Sequence, residues 1–304
     1  MRNTFIKNLV QHARTNDKIV LIVGDLGFSV VEPFAEEFPD RFINAGVAEQ
    51  NMTGIAAGMA SEGCHVFTYS IANFPLFRCA EQIRNDIDYH NLPVTIVSVG
   101  GGLAYGNLGY SHHAVQDFAL IRSMPNMVIA APGDPLEMSG CLEYLVDNPQ
   151  PSYLRINKSG EPNIHKTKPR ISRGELQIFK KTKNTDNLLL TTGAVLELAL
   201  EIWGSNDELR DSWSVASLPM WGEEDRNTTL NQLKSYKRIA TMEEHLLSGG
   251  FGAYLLELGL NIQPFHLKSD VCGEVGQQSF LKNSNGLNRL SIIDQILESK
   301  FKNV

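Results

Sequence analysis

Apolar positions along this chain alternate between two patterns, and their order predicts an architecture. Phe5, Leu9 and Val10 fall on one helical face, and the next apolar block, KIVLIVGDLG, is continuous and ends in Gly and Asp. An unbroken run of this kind marks a strand buried on both faces, as in parallel sheets. From Arg41 the chain reads RFINAGVAEQNMTGIAAGMASEG. This predicts a short apolar run, a turn at Asn44, whose side chain suits a helix start, and a helix with Ala48, Met52, Ile55 and Met59 as its buried stripe. Gly46, Gly54 and Gly58 leave room on that helix for another backbone to approach closely. CHVFTYS then predicts a strand, and ANFPLFRCAEQIRNDIDYH a helix on the spacing of Leu76, Cys79, Ala80 and Ile83, with Pro75 in its first turn. LPVTIVSV, NMVIAAPGD and PSYLRI predict strands, separated by the helical segments FALIRSM and PLEMSGCLEYLVDN. The succession predicts an α/β fold, a doubly wound parallel sheet over residues 1–157. The polar, basic stretch over residues 158–173 is expected to be a linker. A second alternation, from ELQIFKK through RIATMEEH to SIIDQILESK, predicts a smaller α/β domain over residues 174–304.

Length agrees with two units, because 304 residues exceed the roughly 250–300 that one core organises. The net charge of −7 argues against a nucleic-acid partner, which calls for a basic patch. No apolar run is long enough to span a bilayer, and the N-terminal segment is too polar for a signal peptide. Cys64, Cys79, Cys141 and Cys272 are scattered without C-x-x-C spacing. They indicate neither a zinc site nor a disulfide framework, and a cytoplasmic location is expected.

Candidate chemistry gathers where predicted strands end, the edge at which open α/β sheets bind ligands. Glu49 is the one charge in a bland helix, beside its apolar stripe. A carboxylate there needs a partner or a chemical task, with a helix-dipole role as the plainer alternative. Ser29 follows GDLG, and His112 and His113 stand together in the glycine-rich GGGLAYGNLGYSHHAVQD. Arg155 lies within a short predicted strand. Glu243, Glu244 and His245 form the dense polar cluster of the second half and read as structural. There is no G-x-S-x-G, P-loop, dinucleotide fingerprint or glycosidase-like carboxylate pair. Residue types alone therefore reach only a ligand site that uses a carboxylate and histidines.

The segments GVAEQNMTGIAAGMA, GYSHHAVQDFALIRSMPNMVIAAPGD and PSYLRINKSG together resemble the C-terminal half of a transketolase. The resemblance runs over the whole chain and is strongest from Asn44 to Gly133. It implies a pyrimidine-binding domain for thiamine diphosphate, followed by a transketolase C-terminal domain, and transfer of a two-carbon ketol unit between sugars. It gives Glu49 the catalytic task of hydrogen-bonding the aminopyrimidine, so that the cofactor's reactive carbon can lose its proton. Phe74, or Phe77 as second choice, is expected to stack on that ring. His112, with His113 beside it as the other candidate, is expected to steady oxygen charge on the sugar. Ser29 and Arg155 match positions that bind a sugar phosphate, a job suited to a forked guanidinium.

Two places depart from the family pattern. Leu108 stands where an aspartate is usual, and Gly100 where a histidine is usual. Their loss implies a donor or acceptor other than ordinary pentose phosphates, for example in surface-polysaccharide sugar biosynthesis. Nothing matches the G-D-G…N segment that holds magnesium and the diphosphate. The resemblance therefore implies one subunit of a split transketolase, inactive by itself, in an α2β2 heterotetramer whose other subunit carries the pyrophosphate domain and the Mg2+. The rival readings are a β subunit of a 2-oxo-acid dehydrogenase, a relative of deoxyxylulose-phosphate synthase, and a non-catalytic regulatory subunit.

Overall fold

The computed structural model describes residues 1–182 and 186–298; the last two residues of SIIDQILESK lie outside them. The first half contributes β1 (Ile19–Val23), β2 (Phe42–Asn44), β3 (His65–Ile71), β4 (Val94–Val99), β5 (Val128–Ala130) and β6 (Ser152–Ile156). These pair in parallel in the order β5-β6-β4-β3-β1-β2. The continuous apolar runs follow from burial on both faces. In β1, Ile19, Leu21 and Val23 pack with Phe5, Leu9, Met138 and Leu142 from the helices Arg2–Ala13 and Pro135–Asp147. Val20 and Ile22 point the other way, onto Met52 and Ala56 of the helix Glu49–Ser61. The sheet is doubly wound, as the sequence predicts.

The second half contributes β7 (Gln177–Lys180), β8 (Asn187–Thr191), β9 (Trp213–Ser217), β10 (Met220–Trp221), β11 (Arg238–Leu246) and β12 (Ile262–Leu267). Its sheet has the order β12-β11-β8-β9-β7, parallel except for β7. The segment DSWSVASLPM, read as one piece, is divided between the sheets. β9 stays in the second sheet, whereas β10 pairs antiparallel with β5, Met220 opposite Ala130 and Trp221 opposite Ile129. The first sheet is thereby seven-stranded.

Three local expectations change. Asn44 does not cap the helix; it ends β2 and its Oδ1 accepts from the backbone N–H groups of Asp25 (3.1 Å) and Gly46 (3.0 Å). The helix begins at Glu49 and buries Glu49, Met52, Thr53, Ala56, Ala57 and Ala60, while Ile55 and Met59 are half-buried. The buried stripe is thus turned relative to the predicted one, and a side chain at Gly46, Gly54 or Gly58 would meet nothing within 4 Å. The long helix expected after β3 is broken into Phe74–Phe77, Ala80–Gln82 and a wide π turn, Ile83–Asp88. Cys79, with φ −114° and ψ 12°, interrupts it.

Residues 158–173 connect the halves but do not hang free. The N–H groups of Ile164 and His165 each donate to Asp134 Oδ2 at 2.7 Å, and Ile171 is buried. Burial opposes the charge of Asp134, yet the hydrogen bonds from His165 and Glu137 outweigh it and hold the carboxyl below its usual range.

A buried polar string crosses the first sheet at the amino ends of its strands: His65 Nε2 to Thr95 Oγ1 at 3.1 Å, and Thr95 Oγ1 to Ser152 Oγ at 2.8 Å. Burial lowers the His65 imidazole from 6.5 to about 4. Between those values the unfolded chain binds a proton that the folded chain refuses. Stability therefore falls as pH drops through that window and levels off below it, by roughly 3 kcal/mol for this group. His65→Gln should shift the midpoint of acid unfolding to lower pH, as read by circular dichroism during acid titration. An unmoved midpoint would mean that His65 is not the group responsible.

Candidate active site

The loops that leave β1, β2, β3 and β4 at their carboxyl ends converge on one edge of the sheet. Glu49, at the start of the helix after β2, is only 4% exposed. Its stem packs beside Gly24 and near Ser70: a Cβ on Gly24 would lie 3.8 Å from Glu49 Cγ and 3.4 Å from Ser70 Oγ. Glu49 Oε1 accepts a hydrogen bond from Arg78 Nη1 at 2.9 Å. Among the described residues no hydrogen bond is made to Oε2. Arg78 and Phe74 are one helical turn apart, which sets the guanidinium carbon 4.2 Å over the Phe74 ring. The Phe74 ring meets His112 edge-on, with centroids 5.2 Å apart. His112 in turn faces Tyr105 at 6.3 Å, and Lys158 Nζ stands 5.1 Å from the Tyr105 ring.

The structure separates the two adjacent histidines. His112 is half-buried, with Nδ1 3.0 Å from Ser111 Oγ. Its pKa is lowered by burial first, then by the neighbouring His113 and Arg78, which favours the neutral ring. His113 is wholly buried; its Nε2 lies 3.4 Å from the Gly106 carbonyl, Nδ1 has no partner among the described residues, and its own carbonyl accepts from Asn73 at 2.6 Å. A cavity of about 380 Å³ opens between Asn73, Phe74, Phe77, Arg78, Tyr110 and Gln116. A larger hollow, about 640 Å³, lies between the π turn and Ser123–Asn126 and holds none of these groups.

Ser29 reaches the same edge but no contact joins it to this group among the described residues. It is exposed, sits at φ +61°, and its N–H donates to Glu32 Oε1 at 2.7 Å. Arg155 departs from expectation. Its side chain is 6% exposed, with Nε on Asp117 Oδ2 at 2.7 Å and Nη2 on the carbonyls of Ala114 (2.7 Å) and Glu244 (3.0 Å). Tyr153 donates to the same Asp117 oxygen at 2.6 Å. The fork expected to hold phosphate instead ties β6 to the loop after β4 and to β11 of the second half.

The polar cluster of β11 completes that junction. Glu243 accepts from the N–H groups of Phe251 (2.6 Å) and Gly252 (2.8 Å), which open the helix Phe251–Glu257, and burial pushes its carboxyl up to about 8. Glu244 accepts from the N–H of Leu103 at 2.8 Å. His245 stacks on Phe118 at 5.0 Å, and burial lowers its pKa to about 4. All three side chains are thus engaged within the fold.

Both departures from the family pattern have a physical setting. Gly100 sits at φ +86°, and a Cβ there would run into the Tyr105 ring, so Tyr105 fills the space that a side chain at 100 would need. Leu108 is exposed and apolar. Sequence reading missed Arg78, Tyr105 and Lys158. For Arg78 the available signal was its spacing four residues after Phe74, close to a carboxylate without an obvious partner.

The pyrimidine end of thiamine diphosphate fits this constellation, since it asks for an aromatic face and a carboxyl group at one cavity. For a metal the case differs: among the described residues, no three His, Cys, Asp or Glu side chains are grouped to hold one.

Residues 1–162 match the family described as "Transketolase, pyrimidine binding domain". The chain is 26% identical to a subunit of apulose-4-phosphate transketolase from Actinobacillus succinogenes, over 98% of this chain and 97% of that protein. It is 32% identical to the protein of the same name from Phocaeicola vulgatus, over 84% and 82% of the two chains. A solved structure described as a split gene transketolase, inactive beta4 tetramer, matches with a TM-score of 0.83 at 29% identity, over 98% of this chain and 96% of that one. The chain belongs to the transketolase family, whose members depend on thiamine diphosphate, and is similar over nearly its whole length to single subunits of transketolases divided between polypeptides.

Proposed function

We propose that this subunit supplies the pyrimidine half of a thiamine diphosphate site, and that a separate pyrophosphate-domain subunit supplies the diphosphate half with its Mg2+. The observation that carries this reading is Glu49: a nearly buried carboxylate with one oxygen taken and the other without a partner among the described residues, beside a half-buried aromatic ring. When bound, the cofactor supplies the electron sink that cleavage beside a ketone needs. Glu49 holds and moves a proton at the pyrimidine ring nitrogen. Phe74 offers its face to that ring, with Phe77 at the cavity mouth. His112, its Nδ1 engaged by Ser111, turns Nε2 toward a sugar oxygen, and buried His113 supports the loop beneath it. Ser29 and Lys158 lie exposed on the same edge, where they suit the phosphate of a sugar phosphate.

The assembly is an α2β2 heterotetramer in the cytoplasm. Four free cysteines suit a reducing compartment, and no helix among the described residues is long and apolar enough to cross a membrane. The relatives are named for apulose 4-phosphate. With Gly100 closed by Tyr105 and Leu108 apolar, this enzyme takes a donor or acceptor other than ordinary pentose phosphates. Turnover of xylulose 5-phosphate at rates typical of metabolic enzymes would refute that part.

Calorimetry with thiamine diphosphate and magnesium tests the division of labour. Binding by the mixture with the partner, and not by this chain alone, is expected; tight binding by this chain alone would overturn it. In the complex, Phe74→Ala should weaken cofactor binding about tenfold or more, the loss of one stacked heteroaromatic ring. Unchanged affinity would move the stacking role to Phe77.

A further inference from the structure

Arg78 makes the two contacts that an aminopyrimidine ring would make. Its guanidinium is flat, carries N–H donors, lies 4.2 Å over Phe74 and donates to Glu49 Oε1 at 2.9 Å. A planar, nitrogen-rich group stacked on one ring and hydrogen-bonded to one buried carboxylate has the shape and polarity of the cofactor's own ring. We infer that Arg78 is an internal stand-in for the pyrimidine: it engages Glu49 and Phe74 in the pyrimidine's place and must swing out when the cofactor enters.

The surroundings suit both positions of the side chain. With Arg78 in, Glu49 is not left as an uncompensated buried charge, which would be strongly destabilising. The backbone is anchored separately, because Gln50 Nε2 donates to the Arg78 carbonyl at 2.8 Å. The side chain itself is 49% exposed and borders the 380 Å³ cavity, so it can leave without disturbing the core. The conformation competent to bind is then only a fraction of the population, and apparent affinity is reduced by that fraction. Arg78 is thus a positioning residue that opposes cofactor entry.

This inference rests on the functional reading above, and the test separates the two. Thiamine diphosphate association with the magnesium-loaded two-subunit complex is followed by stopped-flow fluorescence, and affinity by calorimetry. Arg78→Ala should bind about tenfold faster and tighter, the combined size of one cation–π contact and one half-exposed ion pair. Arg78→Lys keeps a cation for Glu49 but loses the flat stack, should gain about threefold, and serves if the alanine variant does not fold. Wild-type rates or weaker binding in the folded variants overturn the stand-in. A wild-type complex that binds no cofactor overturns the functional reading and this inference with it.

Discussion

Glu49→Gln should leave the chain folded and the complex assembled, and lower kcat by about 10³-fold, within the range that a positioned acid–base group contributes. Glutamine has nearly the same shape and still offers an acceptor to Arg78, so packing beside Gly24 persists. It cannot carry a proton between the pyrimidine nitrogen and the chemistry beyond it. Steady-state turnover of the reconstituted enzyme, with cofactor affinity measured alongside, checks this. Affinity within a few-fold of wild type and collapsed turnover is the expected pair. Turnover that survives Glu49→Gln and Glu49→Ala would instead support a non-catalytic subunit.

Arg155→Met should destabilise the folded chain by about 3–5 kcal/mol, the usual loss when one member of a buried ion pair is removed. Asp117, wholly buried, would keep only the Tyr153 hydroxyl on the oxygen that now takes two donors, and the carbonyls of Ala114 and Glu244 would lose their shared partner. Thermal and urea midpoints measure the loss. Replacing Asp117 by Asn in the same chain should recover part of it, because the stranded charge is then gone. The alternative role as a phosphate ligand predicts the opposite split: a raised KM for phosphorylated sugars with unchanged midpoints.

The sequence made the frame of the fold legible because a strand buried on both faces leaves a continuous apolar run, and β1, β3 and β4 are such strands. Glu49 was legible because a lone carboxylate amid Ala, Gly and Met stands out against neighbours that can neither pair with it nor solvate it. The Asp117 partner of Arg155 was not legible, because an arginine in an apolar strand looks the same whether its fork meets a ligand or a buried carboxylate. Only the tertiary fold brings the loop after β4 and β11 around it. Arg78 was not legible as the partner of Glu49 because only the tertiary fold brings the turn Phe74–Phe77 beside the start of the helix Glu49–Ser61. The misplaced cap at Asn44 has a local cause: an Asn that ends a strand and serves the following turn has the same composition as one that starts a helix.

The short strand Met220–Trp221 has a consequence for how the two halves coexist. It covers the outer edge of β5, whose backbone would otherwise face solvent as an open template for another chain. A fragment cut anywhere in residues 158–173 would retain every residue of the pyrimidine-binding half up to the cut, yet present that raw edge, Val128–Ala130, to its neighbours. Such a piece would tend to associate with copies of itself rather than stand as an independent module. The point where the sequence changes character is therefore not the point where the first sheet ends.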